Sequence, residues 1–448
     1  MKKRNKITLN ELEKVIDIID KKNIKQTDEY DYFRIIKENI SLENAKVLYF
    51  PIYLNVNDDQ GGWYVSNRDL REYINNIIKS NPKATFLIEQ DMVPNIESKT
   101  TKLIIVNNIM ESIDRLSNYY LEKSKAKTIL VTGSVGKTST AGLIEKVINK
   151  NVLRIYSKRI TPIILKAKIM NYLTKDIEYL VLEAGLFYRH HVKFFSDYLK
   201  PYIGIFLNVL PEHIGIDHIM TMDDIVKNKL EVFRYVEYAL INKADEYLKN
   251  VEFLKNQIKY SDYKIDSKIK EVWDISKFNS KINLYVNTEL SKIEYQAAYT
   301  IGEILKIPQK TILNRLDKAL PVENRTQKEK IYNHEIIFDG DVSGIARFSL
   351  FTKHNYPKAV LIIRALTEDG EESEDYKLLD NFFNRFEKIY IFDNVQVKNQ
   401  LKSLNIQIVK NHDFMKNISQ DTTIFYHYGS YYRKFSKFDL ENLERNIE

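Results

Sequence analysis

The run from Thr128 to Thr140, Thr-Ile-Leu-Val-Thr-Gly-Ser-Val-Gly-Lys-Thr-Ser-Thr, passes from β-branched residues through small ones into helix formers. A strand, a tight loop and a helix in that order make a phosphate cradle. Gly133 and Gly136 let the backbone turn its N–H groups inward, Lys137 brings a cation to the β- and γ-phosphates, and Thr138 offers a hydroxyl to Mg²⁺. Ser134, Val135 and Ser139 complete the candidate nucleotide loop. The helix expected from Ala141 to Ile148 points its positive dipole end at the same anion. Val131 stands where the general pattern has a glycine six residues before the lysine, so the loop is a shortened T-G-x-x-G-K-T form.

Further polar residues fall just past apolar runs. Glu183 ends Tyr179-Leu-Val-Leu-Glu183, 46 residues after Lys137, and a carboxylate at the carboxyl end of a strand in an open α/β sheet faces the ligand crevice and can hold Mg²⁺. Asn208, Glu212-His213 and Asp217-His218 follow the run Tyr202–Leu207 and should line the same crevice. Lys229 lies on the next helix and Asn242-Lys-Ala-Asp245 follows the next strand. His190-His191 has no companion carboxylate at ligand spacing and is expected in a loop or on the surface.

The elements that must position these groups imply an α/β protein of three domains. Residues 1–125 form a small α/β N-terminal domain: a capping box at Thr8-Leu-Asn-Glu11 with an apolar stripe through Leu12, Val15, Ile16 and Ile19, a strand at 46–50, a polar turn at 55–62, a helix from Ser66, strands at 84–89 and 102–106, and a helix at 109–124. Gly61-Gly62-Trp63 is a turn or part of a pocket. After a linker at Lys123–Lys127, residues 126–322 form a P-loop-type domain with a mostly parallel sheet. Residues 323–448 form a Rossmann-like domain with strands near 336–339, 359–363, 388–392, 406–409 and 423–426.

Composition narrows the function. Of 448 residues 44% are apolar and 29% charged, which describes a globular chain. Its longest apolar runs are far below the ~20 residues of a membrane helix, so no membrane span is expected. Met1-Lys-Lys-Arg-Asn-Lys6 leads into a polar helix without an apolar signal core, giving the expectation of a cytoplasmic protein. The net charge of +7 arises from 68 basic and 61 acidic residues scattered along the chain, which argues against a nucleic-acid partner. Zero cysteines exclude disulfides and thiolate chemistry. The acidic run Glu368–Asp375 reads as a solvated loop.

Taken in order, these motifs resemble the Mur ligase family, which joins an amino acid or peptide to a carboxylate at the expense of ATP. The loop is similar to the family's T-G-x-x-G-K-T-T, Glu183 to its acidic magnesium strand, Asn208 with Glu212-His213 to its T-N followed by D-H, and Asn242–Asp245 to its N-x-D-D turn. Lys229, Ala297-Ala298, Asn324-Arg325 and Asp339 continue the resemblance, which covers about 125–345. The layout is most similar to the branch that adds a dipeptide to a UDP-muramoyl-tripeptide, with Gly429-Ser430 in the closing segment.

The resemblance implies ATP and Mg²⁺ as cofactors, small-molecule carboxylate and amine substrates, an acyl-phosphate intermediate and a monomer, with a partner subunit as the competing expectation. Lys137, Lys229 and His213 are the implied catalytic residues, Thr138, Glu183 and His213 the magnesium ligands, and Asn208, Arg325 and Asp339 further nucleotide contacts. Lys229 sits near the γ-phosphate or, if carbamylated, on a second Mg²⁺. Two departures stand out. Glu294 occupies the helix position where the family carries an adenine-contacting Asn, and Gly-Asp-Val-Ser-Gly follows Asp339 in place of an aromatic-Asn/His segment. They keep a non-catalytic ATP-binding homologue in view, as the spacing of His213 and Lys229 keeps a ligase of cyanophycin-synthetase type.

Overall fold

The computed structural model describes residues 3–35, 45–52, 73–156, 160–186, 189–210, 214–215, 219–277, 282–322, 326–331, 334–339, 354–363, 386–392, 406–411, 413–419 and 421–427. The chain packs as two compact units, 1–129 with 150–182 and 130–149 with 183–448.

The first unit opens on the expected capping box. The Thr8 hydroxyl accepts the Glu11 N–H and the Glu11 carboxylate accepts the Thr8 N–H, starting the helix Leu9–Val15. That helix is shorter than its apolar stripe suggested. Ile16 is extended (φ −123°, ψ 153°) and Ile18–Lys22 is a strand, because the β-branched cluster Val15, Ile16, Ile18 and Ile19 favours extended backbone.

A five-stranded sheet runs in the order 18–22, 102–106, 85–89, 47–49, 32–34. The last four strands are parallel and the first antiparallel to its neighbour. Phe86, Ile88, Leu103 and Ile105 alternate onto one face with Ile74 and Ile78 of the helix Ile74–Ser80. Leu87 and Ile104, on the other face, are equally buried, as both faces of a parallel sheet must be. Helix Ile109–Ser124, capped by Asn108, ends two residues before the strand Lys127–Thr132, so the expected linker is a tight connection through Lys125 at φ 55°. Strands Val152–Ile155 and Tyr179–Glu183 pair in parallel. The Asn171 amide accepts the Phe33 N–H (2.8 Å) and donates to the Phe33 carbonyl (2.9 Å), taking the place of a neighbouring peptide beside strand 32–34.

The second unit carries the site, and its elements are numbered here. They are β1 (Lys127–Thr132), whose end from Leu130 lies in this unit, α1 (Lys137–Ile148), β2 (Tyr179–Glu183), of which only the terminal Glu183 lies in this unit, α2 (His191–Leu199), β3 (Ile203–Phe206), α3 (Met222–Leu230), β4 (Tyr238–Ile241), β5 (Glu271–Asp274), α4 (Glu289–Ile304) and α5 (Gln309–Asp317). β3, β4 and β5 are parallel, with Ile203 opposite Tyr238 and Tyr238 opposite Glu271. The Leu207 N–H donates to the Thr132 carbonyl (3.0 Å) and the Ala184 N–H to the Val131 carbonyl (2.8 Å). The end of β1 therefore lies between the residues that follow β2 and β3. An antiparallel meander of Glu252–Leu254, Gln257–Tyr260 and Tyr263–Asp266 follows β4.

Beyond α5 lies a six-stranded sheet, ordered 327–331, 334–339, 423–427, 359–363, 388–392, 406–409, parallel apart from its first strand. All five strands expected in this region are present. Among the described residues no helix is long and apolar enough to cross a membrane.

Candidate functional site

Two glycines with positive φ shape the loop between β1 and α1: Gly133 at 151° and Gly136 at 86°. A Cβ on Gly133 would lie 3.0 Å from Leu207 Cβ, and one on Gly136 would lie 3.0 Å from Leu290 Cδ1 and 3.1 Å from Glu294 Oε1. Both positions thus need glycine for backbone angle and for space. Asn208 pins the loop. Its Oδ1 accepts the Val135 N–H (3.0 Å), its Nδ2 donates to the Val135 carbonyl (3.0 Å), and its backbone carbonyl accepts the Ser134 N–H (3.1 Å). α1 starts at Gly136 with no side-chain cap, leaving the first turn's N–H groups available to an anion.

Cations and oxygens converge on this loop. Lys137 Nζ donates to the Gly133 and Ser134 carbonyls, each at 2.7 Å. Thr138 Oγ1 donates to Glu183 Oε2 at 2.7 Å, both residues being buried, and a hydroxyl beside a carboxylate is the hard-oxygen chemistry that suits Mg²⁺. Lys229 has no exposed surface, and its ammonium donates to Ser134 Oγ at 2.9 Å. Ser134 Oγ also accepts the Leu210 N–H (2.9 Å). A capping box of Thr221 and Asp224 starts α3, which buries Ile225, Val226, Lys229 and Leu230 on one face. Lys229 is thus a core residue of its helix rather than a surface lysine.

The Asn242–Asp245 turn holds the crevice wall. Asn242 Nδ2 donates to the Leu207 carbonyl (3.0 Å), and Asp245 Oδ2 accepts the Val209 N–H (2.9 Å). Burial pushes the Asp245 carboxyl above its ordinary range, against the pull of the Val209, Tyr247 and Leu248 N–H groups.

Beside the loop is a shallow recess lined by Ser139, Leu143, Tyr285, Glu294, Tyr295, Leu320 and Val322, among others. Glu294 is 4% exposed, and burial pushes the Tyr295 phenol up to about 12. Leu320, 71% exposed, stands at the rim. Apart from Ser139 and Glu294, the sequence reading missed these residues. The available signal was an apolar Leu-Pro-Val just ahead of Asn324-Arg325 and two tyrosines ten residues apart.

The structure brings together Gly133, Ser134, Val135, Gly136, Lys137, Thr138, Ser139, Glu183, Asn208, Lys229 and Glu294. His213 and Arg325 lie outside the described residues, as do Glu212, Asp217-His218, Gly61–Trp63 and Gly429-Ser430. Asp339 ends a strand opposite His427 in the C-terminal sheet. Of the histidine pair, His190 is exposed but His191 is 1% exposed and rests against Phe195 (5.3 Å), which corrects the expectation of a loop or surface position. It falls there because His191, Val192, Phe195 and Leu199 share the inner face of α2. Among the described residues no group of three or more His, Asp or Glu is placed to hold a metal.

Comparison with known proteins agrees with this geometry. Residues 131–305 match the family model of the Mur ligase middle domain. The chain is 29% identical over 203 residues to the UDP-N-acetylmuramoyl-tripeptide–D-alanyl-D-alanine ligase of Rickettsia prowazekii, covering 42% of each chain. It thus spans less than half of that relative's length. It is 22% identical over 363 residues to the UDP-N-acetylmuramoylalanine–D-glutamate ligase of Fusobacterium nucleatum, covering 72% of this chain and 80% of that one. Among solved structures, MurF from Acinetobacter baumannii superposes with a TM-score of 0.70 at 14% identity, covering 99% of this chain and 100% of the other. MurF from Thermotoga maritima in complex with ADP superposes with a TM-score of 0.64 at 14% identity, covering 93% and 98%. At these identities the structural likeness is one of fold.

Proposed function

With residues 131–305 taken as a Mur ligase middle domain, we propose that the protein is an ATP-dependent ligase that joins a carboxylate to an amine through an acyl phosphate. The observation that carries this reading is the convergence of three groups on one loop: the paired lysine Lys137, the Thr138–Glu183 couple and the buried Lys229–Ser134 bond. In this reading the chain has an N-terminal acceptor domain (1–125), a central ATP domain (126–322) and a third domain (323–448) that supplies Asp339, with Arg325 at the hinge.

A carboxylate does not condense with an amine unaided, because hydroxide is a poor leaving group. Transfer of the γ-phosphoryl forms a bond from phosphorus to a carboxylate oxygen and breaks the bond to the bridging oxygen of ADP. The amine nitrogen then attacks the acyl carbon, the bond from carbon to the phosphate oxygen breaks, and phosphate and a proton depart. The protein's part is positioning and charge neutralisation. Loop N–H groups and Lys137 hold the phosphates. Lys229, anchored through Ser134, brings a second cation to the same loop. Thr138 and Glu183, with His213, would hold Mg²⁺, which neutralises charge between the phosphates when bound. The base enters the recess beside Glu294, and Asn208 keeps the loop in register. The relatives' names suggest a UDP-muramoyl peptide as the carboxylate and an amino acid or D-alanyl-D-alanine as the amine, in the cytoplasm where ATP is supplied, with the protein acting as a monomer.

Glu294 favours a second reading, an ATP-binding homologue without ligase activity, since a buried carboxylate is a poorer partner for adenine N7 than an amide donor. Phosphate release from ATP and Mg²⁺ across a panel of UDP-muramoyl peptides and amines decides between them, with Lys137→Ala as control. Release that requires one carboxylate and one amine together supports the ligase. ATP binding without release from any pair overturns it in favour of the homologue.

A further inference from the structure

Lys229 sits near the end of a nine-residue helix, and a helix that short does not hold its own position in water. Something outside α3 must set the height and rotation at which the buried ammonium meets Ser134 Oγ. The apolar face, Ile225, Val226 and Leu230, provides packing but little directionality.

One directional contact comes from the His190 N–H, which donates to Asn228 Oδ1 (3.0 Å), and three more come from the tip of one hairpin. Tyr260 and Tyr263 are opposite partners in the meander, flanking the two-residue turn Ser261-Asp262. Tyr260 donates its hydroxyl to Asp223 Oδ1 (2.8 Å), Asp262 Oδ1 pairs with Lys227 Nζ (2.8 Å), and Tyr263 donates its hydroxyl to Glu231 Oε1. Asp223, Lys227 and Glu231 are spaced i, i+4 and i+8, which is one stripe along the helix and its continuation. At 100° per residue Lys229 lies roughly 120–160° round from that stripe. The hairpin therefore grips the side of α3 away from Lys229, and three ties come from four consecutive residues.

The ties differ in kind. Asp262 is 80% exposed at its side chain, so its pair with Lys227 contributes little. Glu231 is 3% exposed and already neutralised by Arg234, whose Nε and Nη2 lie 2.5 and 2.8 Å from its two oxygens. The Tyr263 hydroxyl is accordingly a geometric tie and not a charge balancer.

We propose that the hairpin tip Tyr260–Tyr263 is a positioning device for Lys229, holding α3 so that the lysine reaches the phosphate loop. The consequence for turnover rests on the ligase reading, whereas the effect on Lys229 does not.

The test uses the full chain carrying Tyr260→Phe and Tyr263→Phe together, which keeps both rings. Acetic anhydride labelling followed by mass spectrometry reports the accessibility of Lys229, with Lys166, buried and paired with Asp114, as the control for general loosening. The expected result is Lys229 labelled at least fivefold faster with Lys166 unchanged, and a kcat lower by about tenfold at a KM for ATP held within twofold. Unchanged Lys229 labelling in a folded double variant overturns the proposal. Should that variant unfold, the single variant Tyr263→Phe carries the same criterion. Faster Lys229 labelling in a protein whose wild type turns over no substrate pair leaves the positioning role standing and sinks the ligase reading.

Discussion

Replacing Asn208 with Ala tests how much of the phosphate loop's order comes from one side chain. Asn208 is 2% exposed, and both ends of its amide are used on Val135. Removal leaves a buried N–H and a buried carbonyl without partners. At ~1–3 kcal/mol for each such group the loop loses about 2–6 kcal/mol of local order. If the loop must re-form to hold phosphates, that loss appears as an ATP affinity weaker by roughly one and a half to four and a half powers of ten. The bond from the Ser134 N–H to the Asn208 carbonyl survives, since it is main chain, so the loop stays tethered at one point. Asn208→Asp is the sharper companion. It keeps an acceptor for the Val135 N–H but turns a second oxygen against the Val135 carbonyl, and should bind ATP no better than the alanine variant. Calorimetry gives the affinities, and hydrogen exchange at the Val135 amide reports the loop directly. An Asn208→Ala protein that binds ATP within fivefold of wild type, with Val135 exchange unchanged, refutes the view that this amide organises the loop.

Gly136→Ala forces a side chain to φ 86° and brings its Cβ within 3.0 Å of Leu290 Cδ1, so thermal denaturation should show a loss of at least ~1–2 kcal/mol. Thr138→Val keeps the shape but removes the donor to Glu183 Oε2, and the Mg²⁺ concentration for half-maximal turnover should rise at least tenfold while metal-free ATP binding is unchanged. Burial acts to raise the Asp224 carboxyl, but the Thr221 hydroxyl and the Met220 and Thr221 N–H groups outweigh it and hold it below its ordinary 3.8. Its stabilisation is therefore present above pH 3.8 and lost as the pH falls through the lower folded-state value. Urea melts between pH 6 and 3 should show that component in wild type and not in Asp224→Asn.

The phosphate loop was legible because its chemistry is local. Glycines, lysine and threonine must be adjacent in sequence to be adjacent in space, and the strand and helix around them obey ordinary periodicity. The C-terminal strands were legible for a similar reason, since buried parallel strands read as short apolar runs such as Ala359–Ile363. Lys229 was harder. Its place near the γ-phosphate came from the resemblance alone, yet Ile225, Val226, Lys229 and Leu230 fall on one face, and that register was the signal in the residues themselves that it is buried. His191 yields to the same reasoning. The meander was illegible because its strands are three or four residues long and rich in lysine and tyrosine, so pairing between them, and not their own pattern, makes them strands. The Asn208 and Asn242 clamps are likewise long-range, since no spacing reveals that an amide will close on a peptide 73 residues away.

The seating of Lys137 sets a threshold for ligands. Two of its ammonium's three N–H groups already donate to the Gly133 and Ser134 carbonyls, so an incoming anion does not capture an idle charge but must compete with two neutral acceptors. Binding is then an exchange of bonds, and its heat reflects the difference between old and new partners. A chain of phosphates, with several charged oxygens along its length, gains from that exchange. A lone carboxylate or a single weakly charged oxyanion gains little, which makes the cradle a filter against the abundant small anions around it.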